Sequence, residues 1–290
     1  MEDFSSRLTG GPVLVADGAM GTFLQAAGLP PGRPGEAWVL EQPDKIAAVH
    51  RAYVEAGAEL ILTCTFGGTQ ARLARAGLAD RVAEINRRAV EVARQAAAGR
   101  AYVAGDIGPL GELLAPLGKR TCEEAVELFA EQAAALAEAG PDLLYIETMS
   151  SLDEVRAAVE GARRVAPHLP LTVTLSFDSK GRTNMGVRPE QAARLLVELG
   201  VTAFGVNCGH SLEMSEGALR AMHEEAPAAL LIAKPNAGLP RMVGDEAVYD
   251  ATPALMAEAA RRFVELGARI VGGCCGSTPE HIAAIARAVA

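Results

Sequence analysis

The sequence is poor in aromatic residues and contains a single tryptophan, Trp38. Aromatic residues make up only 4% of the 290 residues, so the chain lacks the stacking platform that holds single-stranded nucleic acid. It also lacks an excess of basic residues. The formal net charge is −9, and Lys and Arg are scattered, which disfavours binding to polyanions. We therefore expect no nucleic-acid partner.

Long apolar runs are missing as well. No run approaches the roughly 20 residues that span a bilayer, and the first residues do not resemble a signal peptide. Cysteine is sparse, with five residues in the chain, too few for a disulfide scaffold. These absences predict a cytoplasmic protein with free thiols and no membrane contact.

Apolar runs alternate with helical patterns from one end of the chain to the other. Helical patterns cover residues 43–57, 80–97, 121–139, 151–166 and 189–199, and the last helix reaches residue 289. The apolar runs predict strands at residues 13–16, 59–66, 102–107, 143–148, 171–177, 201–207, 230–234 and 269–271. Eight such strand-helix units predict an α/β fold, a (β/α)8 TIM barrel, as one domain over residues 1–290.

An open, doubly wound sheet would show the same alternation. That fold carries a G-x-G-x-x-G phosphate-binding loop after its first strand. Gly18 and Gly21 do not complete this pattern, so the barrel is the favoured interpretation.

In a parallel barrel the carboxyl ends of all strands meet on one face, where active sites form. Polar residues occur at all eight predicted strand ends, and in a barrel they would form a single group. They are Asp17, Thr63, Thr65, Asp106, Glu147, Thr148, Asp178, Asn207, Cys208, Lys234, Asn236, Cys274 and Cys275.

Three of these residues are cysteines. Cys274 and Cys275 lie in a Gly-Gly-Cys-Cys-Gly stretch after the eighth strand, and Cys208 follows the sixth. Buried core thiols or a strained vicinal disulfide are the alternatives. Three thiolates suit Zn²⁺, and the absence of C-x-x-C spacing favours a catalytic site over a structural one. A zinc site of this kind is suited to the alkylation of a thiol, because it deprotonates the thiol at neutral pH.

The chain resembles the zinc-dependent homocysteine S-methyltransferases, and among them the homocysteine-binding module of cobalamin-dependent methionine synthase. The resemblance extends over essentially the whole chain. It rests on the stretches at residues 17–22 (DGAMGT), 63–69 (TCTFGGT), 105–109 (GDIGP), 146–148 (IET), 205–208 (GVNC), 235–238 (PNAG) and 272–281 (GGCCGSTPEH).

The resemblance implies a (β/α)8 barrel that makes methionine from homocysteine. It implies that Cys208, Cys274 and Cys275 hold one catalytic Zn²⁺, with the homocysteine sulfur as a fourth ligand. Further implied roles concern the amino-acid part of the substrate. Glu147 would receive the ammonium, Asp17 would shape the pocket, and the carboxylate would bind at Gly18, Ala19 and Thr65.

Several expectations stay open from the sequence. Asn236 is a candidate oxygen ligand or loop-orienting amide, and Cys64 stands where the family often has Asn.

The resemblance implies methylcobalamin as the methyl donor, supplied by another module or protein, because the chain holds no second domain for it. S-methylmethionine and betaine are alternative donors. From other classes, Lys234 could form a Schiff base in a barrel aldolase, or the chain could be a non-catalytic carrier of zinc or of a thiol that depends on other domains. His50, His168 and His223 are predicted to lie on the surface.

Overall fold

The computed structural model describes residues 2–239, 241–243 and 246–290. Its strands are β1 (Leu14–Val15), β2 (Leu60–Leu62), β3 (Tyr102–Ile107), β4 (Leu143–Met149), β5 (Leu171–Leu175), β6 (Ala203–Cys208), β7 (Leu231–Pro235), β8 (Arg241–Val243), β9 (Glu246–Val248) and β10 (Ala268–Val271). Strands β1 to β7 and β10 form one parallel sheet in the order β1, β10, β7, β6, β5, β4, β3, β2.

The sheet closes into a barrel because its two edge strands, β1 and β2, also contact each other. Ala16 and Leu60 form a parallel bridge, and the Asp17 N–H donates to the Leu60 carbonyl oxygen at 2.9 Å. The predicted (β/α)8 barrel is therefore confirmed, and the open doubly wound sheet is excluded.

Helices surround the barrel. They are α1 (Phe4–Gly10), α2 (Gly21–Ala26), α3 (Gly35–Glu41), α4 (Pro43–Glu55), α5 (Gln70–Leu73), α6 (Val82–Ala97), α7 (Cys122–Glu138), α8 (Leu152–Val165), α9 (Pro189–Glu198), α10 (Leu212–Glu225), α11 (Pro253–Glu265) and α12 (Pro279–Val289). Local sequence signals set their starts. Thr121 and Glu124 form a capping box at α7, and Pro253 and Pro279 stand in the first turns of α11 and α12.

Two apolar clusters follow from the alternation of side chains along the strands. The larger one lies between strands and helices. The smaller one takes every second residue of the strands and fills the barrel interior, for example Leu60, Leu62, Tyr102 and Ala104. Phe4 of α1 packs edge-on against Tyr102, with ring centroids 5.5 Å apart, and closes the end of the barrel opposite the predicted site.

Several details differ from the sequence-based predictions. The second strand ends at Leu62 rather than residue 66, because the Thr65 N–H turns back to the Thr63 carbonyl oxygen at 2.9 Å. An antiparallel hairpin, β8 with β9, is inserted after β7. The surface prediction for His50 is wrong, since its side chain is fully buried on α4.

No helix within the described ranges has the length and apolar character that crossing a membrane would require.

Candidate active site

The inward-facing row of side chains changes from apolar to polar at the carboxyl ends of the strands. Interior positions alternate along each strand, and the last of them on β3, β4, β6 and β7 are Asp106, Glu147, Asn207 and Lys234. Asp106, Asn207 and Lys234 are buried, and Glu147 is half-buried. The barrel thus ends in a layer of ionisable and amide groups beneath its open mouth.

The three predicted thiols meet at this end of the barrel. The Sγ atoms of Cys208, Cys274 and Cys275 all lie within 4.8 Å of one another. In a tetrahedral site with Zn–S bonds of about 2.3 Å, neighbouring sulfurs are about 3.8 Å apart. Cys208 Sγ and Cys274 Sγ are 2.7 Å apart, so these two sulfurs must separate by about 1 Å for the three thiols to hold a zinc ion. Hydrogen bonds from Cys208 and then Cys274 lower the pKa of Cys275, which favours a thiolate within the cluster.

Backbone contacts fix the loops that carry these thiols. Cys208 has a left-handed backbone, with φ of 54°, which is unusual for a residue other than glycine. The Asn236 N–H donates to the Cys208 carbonyl oxygen at 3.2 Å, and the Cys274 N–H donates to the Pro235 carbonyl oxygen at 2.8 Å. The end of β7 therefore joins the two cysteine-bearing strand ends that flank it.

A buried ion pair lies beside the thiols. Lys234 Nζ is 2.6 Å from Asp17 Oδ1, and the two side chains are only 3% and 5% exposed. Asp17 Oδ2 also accepts the Leu62 N–H at 2.8 Å. Burial by itself would lower the pKa of Lys234, but the charges of Asp17 and Glu147 outweigh it and raise that pKa. An ammonium held in this way gives no support to the Schiff-base alternative, which requires a neutral amine.

Asp106 and Glu147 are neighbouring carboxyl groups, of which Asp106 is buried and Glu147 half-buried. Burial, and then the charge of Glu147, raise the pKa of Asp106 well above its ordinary value. Burial, and then the charge of Cys274, raise the pKa of Glu147 to about 8. We infer that Asp106 carries a proton and that a nearby positive charge favours the carboxylate form of Glu147.

A cavity of about 620 Å³ opens above this layer. Its size lies within the range of about 300–1,000 Å³ that is typical of ligand sites. Its lining includes the three thiols together with Asp17, Asp106, Glu147 and Lys234, and it extends to the segment between α2 and α3. A small amino acid would fill only part of it.

The predicted site residues divide into two groups. Asp17, Gly18, Ala19 and Glu147 line the same cavity as the thiols. Thr65 is fully buried, and neither it nor Asn236 is among the lining residues. Asn236 instead donates from Nδ2 to the Gly209 carbonyl oxygen at 2.9 Å, while its Oδ1 is buried without a hydrogen-bond donor in the described part of the chain.

Two of the three residues that the resemblance assigned to the substrate carboxylate, Ala19 and Thr65, have backbone N–H groups that already donate to other atoms. The Ala19 N–H donates to Ser277 Oγ at 3.2 Å, and the Thr65 N–H is used in the turn described above. Cys64 lines the cavity and is 4% exposed, with its sulfur close to Gly35. At this position the cavity wall is thus a small apolar thiol.

The sequence analysis did not identify two residues, Tyr53 and Ser277, whose hydrogen bonds connect the segment after β1 to the segment after β10. Tyr53 Oη donates to the carbonyl oxygen of Ala19 at 2.9 Å, or to that of Ser277 at 3.0 Å. Ser277 Oγ in turn donates to the Cys274 carbonyl oxygen at 2.6 Å. A Cβ atom at Gly18 would lie 2.7 Å from Ser277 Oγ and 2.9 Å from Tyr53 Oη, so glycine is required there. The buried tyrosine on an amphipathic helix gave no signal of this role.

Comparison with known proteins agrees with this geometry. A family model described as homocysteine S-methyltransferase matches residues 14–289. The chain belongs to the homocysteine S-methyltransferase family. It is 36% identical over 298 aligned positions to the methionine synthases of Mycobacterium leprae and Mycobacterium tuberculosis. These alignments cover 96% of this chain but 24% and 25% of those proteins, so the chain spans about a quarter of their length.

Solved structures extend the family comparison to three dimensions. The metallated form of the homocysteine methyltransferase MmuM from Escherichia coli superposes with a TM-score of 0.82 at 28% identity, covering 98% of this chain and 99% of that one. A methyltransferase from Methanosarcina mazei superposes with a TM-score of 0.60 at 15% identity, covering 99% and 96% of the two chains. The second match shows a shared fold alone.

Proposed function

We propose that this chain is a zinc-dependent methyltransferase that binds homocysteine and methylates its sulfur to give methionine. The observation that carries the proposal is the meeting of three thiols with a half-buried carboxyl group on one cavity wall. Cys208, Cys274 and Cys275 lie within 4.8 Å of one another, and Glu147 lines the same cavity. Family membership supports the same substrate.

In this proposal Cys208, Cys274 and Cys275 hold the zinc ion. When bound, zinc supplies a Lewis acid that keeps the substrate sulfur deprotonated at neutral pH, while three thiolate ligands leave that sulfur electron-rich. The sulfur attacks the methyl carbon of the donor, the bond from that carbon to the donor breaks, and its electron pair leaves with the donor.

The remaining groups bind the amino-acid end of the substrate. Glu147 would accept hydrogen bonds from the ammonium, and such charge-assisted bonds are about twice as strong as neutral ones. Asp17 is committed to Lys234, so we assign it to the shape and charge balance of the pocket. Gly18 and Ala19 remain the proposed neighbours of the substrate carboxylate. We assign Thr65 and Asn236 to the support of the site, because neither side chain reaches the cavity lining.

We propose methylcobalamin, presented by another module or protein, as the methyl donor. Support comes from the methionine synthases, which match this chain over about a quarter of their length. The decisive assay supplies zinc-loaded protein with homocysteine and one donor at a time: methylcobalamin, S-methylmethionine or betaine. Turnover with methylcobalamin alone would support the proposal, and turnover with a small donor alone would replace the corrinoid with that donor.

Zinc-edge X-ray absorption tests the metal centre itself. We expect three sulfur neighbours around zinc without substrate and four after homocysteine is added. Four sulfurs before substrate, or a Cys208→Ala variant that retains stoichiometric zinc, would contradict the ligand assignment.

Glu147→Gln tests the ammonium site. We expect homocysteine affinity to fall by about 10- to 100-fold, because the variant loses a hydrogen bond between two charged groups. The variant should retain one zinc ion per chain. Unchanged affinity would show that another group receives the ammonium.

A further inference from the structure

We propose that Asn207 is a positioning residue that aims the Glu147 carboxylate at the substrate ammonium. The inference rests on the proposed function, because it concerns how the same site recognises the amino group of homocysteine. Asn207 stands one residue before Cys208 at the end of β6. Its side chain points into the barrel interior and is 1% exposed.

The Asn207 amide is fully used by the site. Nδ2 donates to Glu147 Oε2 and to Thr148 Oγ1, each at 2.7 Å. Oδ1 accepts the Thr148 N–H at 2.8 Å and the Thr174 hydroxyl at 2.7 Å. An amide has two N–H hydrogens and two lone pairs on oxygen, so these four contacts satisfy the group. Its orientation is therefore fixed from both sides.

These contacts coincide with an unusual backbone conformation at the end of β4. Thr148 has φ of 58°, a left-handed conformation that a β-branched residue rarely adopts. Such conformations persist where surrounding contacts over-determine them, often at functional sites. Here Asn207 binds both the N–H and the hydroxyl of Thr148, and it binds the carboxylate of the preceding Glu147. One side chain thus holds the turn and the functional group that precedes it.

Asn207 also lies between the carboxylate and the thiols. Its Nδ2 is 3.9 Å from Cys274 Sγ, and its own main chain continues into Cys208. A neutral amide can occupy this place without adding charge to a layer that already contains Asp17, Asp106 and Glu147. The distance from the thiol cluster to the ammonium-binding carboxylate is consequently set by a rigid, uncharged spacer.

The test separates this role from a general contribution to stability. Binding of two ligands to the zinc-loaded chain is measured by calorimetry: homocysteine, and 4-sulfanylbutanoate, which keeps the thiol and carboxylate but lacks the amino group. For Asn207→Ala we expect homocysteine affinity to fall by about 10- to 100-fold. Affinity for 4-sulfanylbutanoate should change by less than about 3-fold, and zinc stoichiometry should stay at one per chain.

A matched pair on β5 provides a milder perturbation and its control. Thr174→Val removes the hydroxyl that orients Asn207, and we expect homocysteine affinity to fall by about 3- to 10-fold. Thr172 lies two residues earlier on the same inward face, is equally buried, and donates to the Leu144 carbonyl oxygen at 3.4 Å. Thr172→Val makes the same chemical change away from Asn207 and should leave homocysteine affinity unaltered.

Each outcome decides the inference. Equal losses for both ligands in Asn207→Ala, or equal effects of Thr174→Val and Thr172→Val on homocysteine, would overturn it in favour of a purely structural role. If Asn207→Ala does not fold, the two threonine variants decide between the positioning role and the structural one. A wild-type chain that binds both ligands equally well would instead overturn the proposed ammonium site, and this inference with it.

Discussion

Removal of Lys234 should destabilise the protein strongly, because it leaves a buried charge without a partner. The Lys234–Asp17 pair is 2.6 Å long, and both side chains are almost completely buried. Removing one partner of such a pair costs about 3–5 kcal/mol, whereas replacing both with neutral groups is often close to neutral. We therefore expect Lys234→Met to lower the free energy of unfolding by about 3–5 kcal/mol.

The double variant Asp17→Asn/Lys234→Met should recover most of that loss. Asparagine can still accept the Leu62 N–H through its carbonyl oxygen, and no uncompensated charge remains at the pair. Equilibrium unfolding in guanidinium chloride at constant zinc concentration measures all the variants. The expected coupling energy between the two substitutions is at least about 2 kcal/mol.

Arg164 offers a control for the generic effect of losing a salt bridge. It pairs with Glu127 at 2.7 Å on the surface, with side chains 45% and 70% exposed, where ion pairs contribute little. Arg164→Met should therefore cost only a small fraction of what Lys234→Met costs. Similar losses for these two single variants, or additive losses in the double variant, would refute the reasoning from burial.

Three further predictions concern a buried histidine, a strained turn and the metal. Burial lowers the pKa of His50 from 6.5 to about 4, so only the unfolded chain binds this proton between those values. The free energy of unfolding should consequently fall by about 3 kcal/mol from pH 7 to pH 4. His50→Leu should remove this contribution to the pH dependence of the free energy of unfolding. A variant that keeps the wild-type pH profile would show that His50 makes no such contribution. Thr148→Gly should be more stable than Thr148→Val by about 1 kcal/mol or more in thermal unfolding, because glycine relieves the left-handed conformation. The reverse order would show that the turn is not strained. Chelation of zinc initially present at about 100 times its Kd should destabilise the wild-type chain by about 2.7 kcal/mol. Cys274→Ser should lack this response, and Cys122→Ser, at an exposed position, should retain it.

Much of the fold and the clustering of the three cysteines could be predicted from the sequence. Periodicity located eight strands, and the five helices predicted with both bounds agree with the structure to within two residues at each end, as at α7 and α8. The short helices α1, α2, α3 and α5 were not predicted. Parallel closure then places all carboxyl ends on one face. Once a barrel is assumed, Cys208, Cys274 and Cys275 must lie near one another, although 66 residues separate the first two. Residue type and strand order alone predict this cluster.

Other features depended on contacts that periodicity does not encode. The pairing of Asp17 with Lys234 joins residues 217 positions apart. This pairing depends on the length of the two side chains and on their burial inside the barrel. His50 occupies a helix position that composition assigns to the surface, but the neighbouring elements cover it completely.

Asn207 shows the same division within the site. The sequence by itself placed it at a strand end beside Cys208, and the two-residue period of the strand determines that it faces inward with Glu147 and Lys234. Only the tertiary structure decided that its amide bonds to Glu147 and Thr148 from another strand. Strand order and side-chain alternation are local, repetitive properties that a sequence records directly. Hydrogen-bond partners between strands depend on barrel closure, stagger and burial, which are properties of the assembled chain.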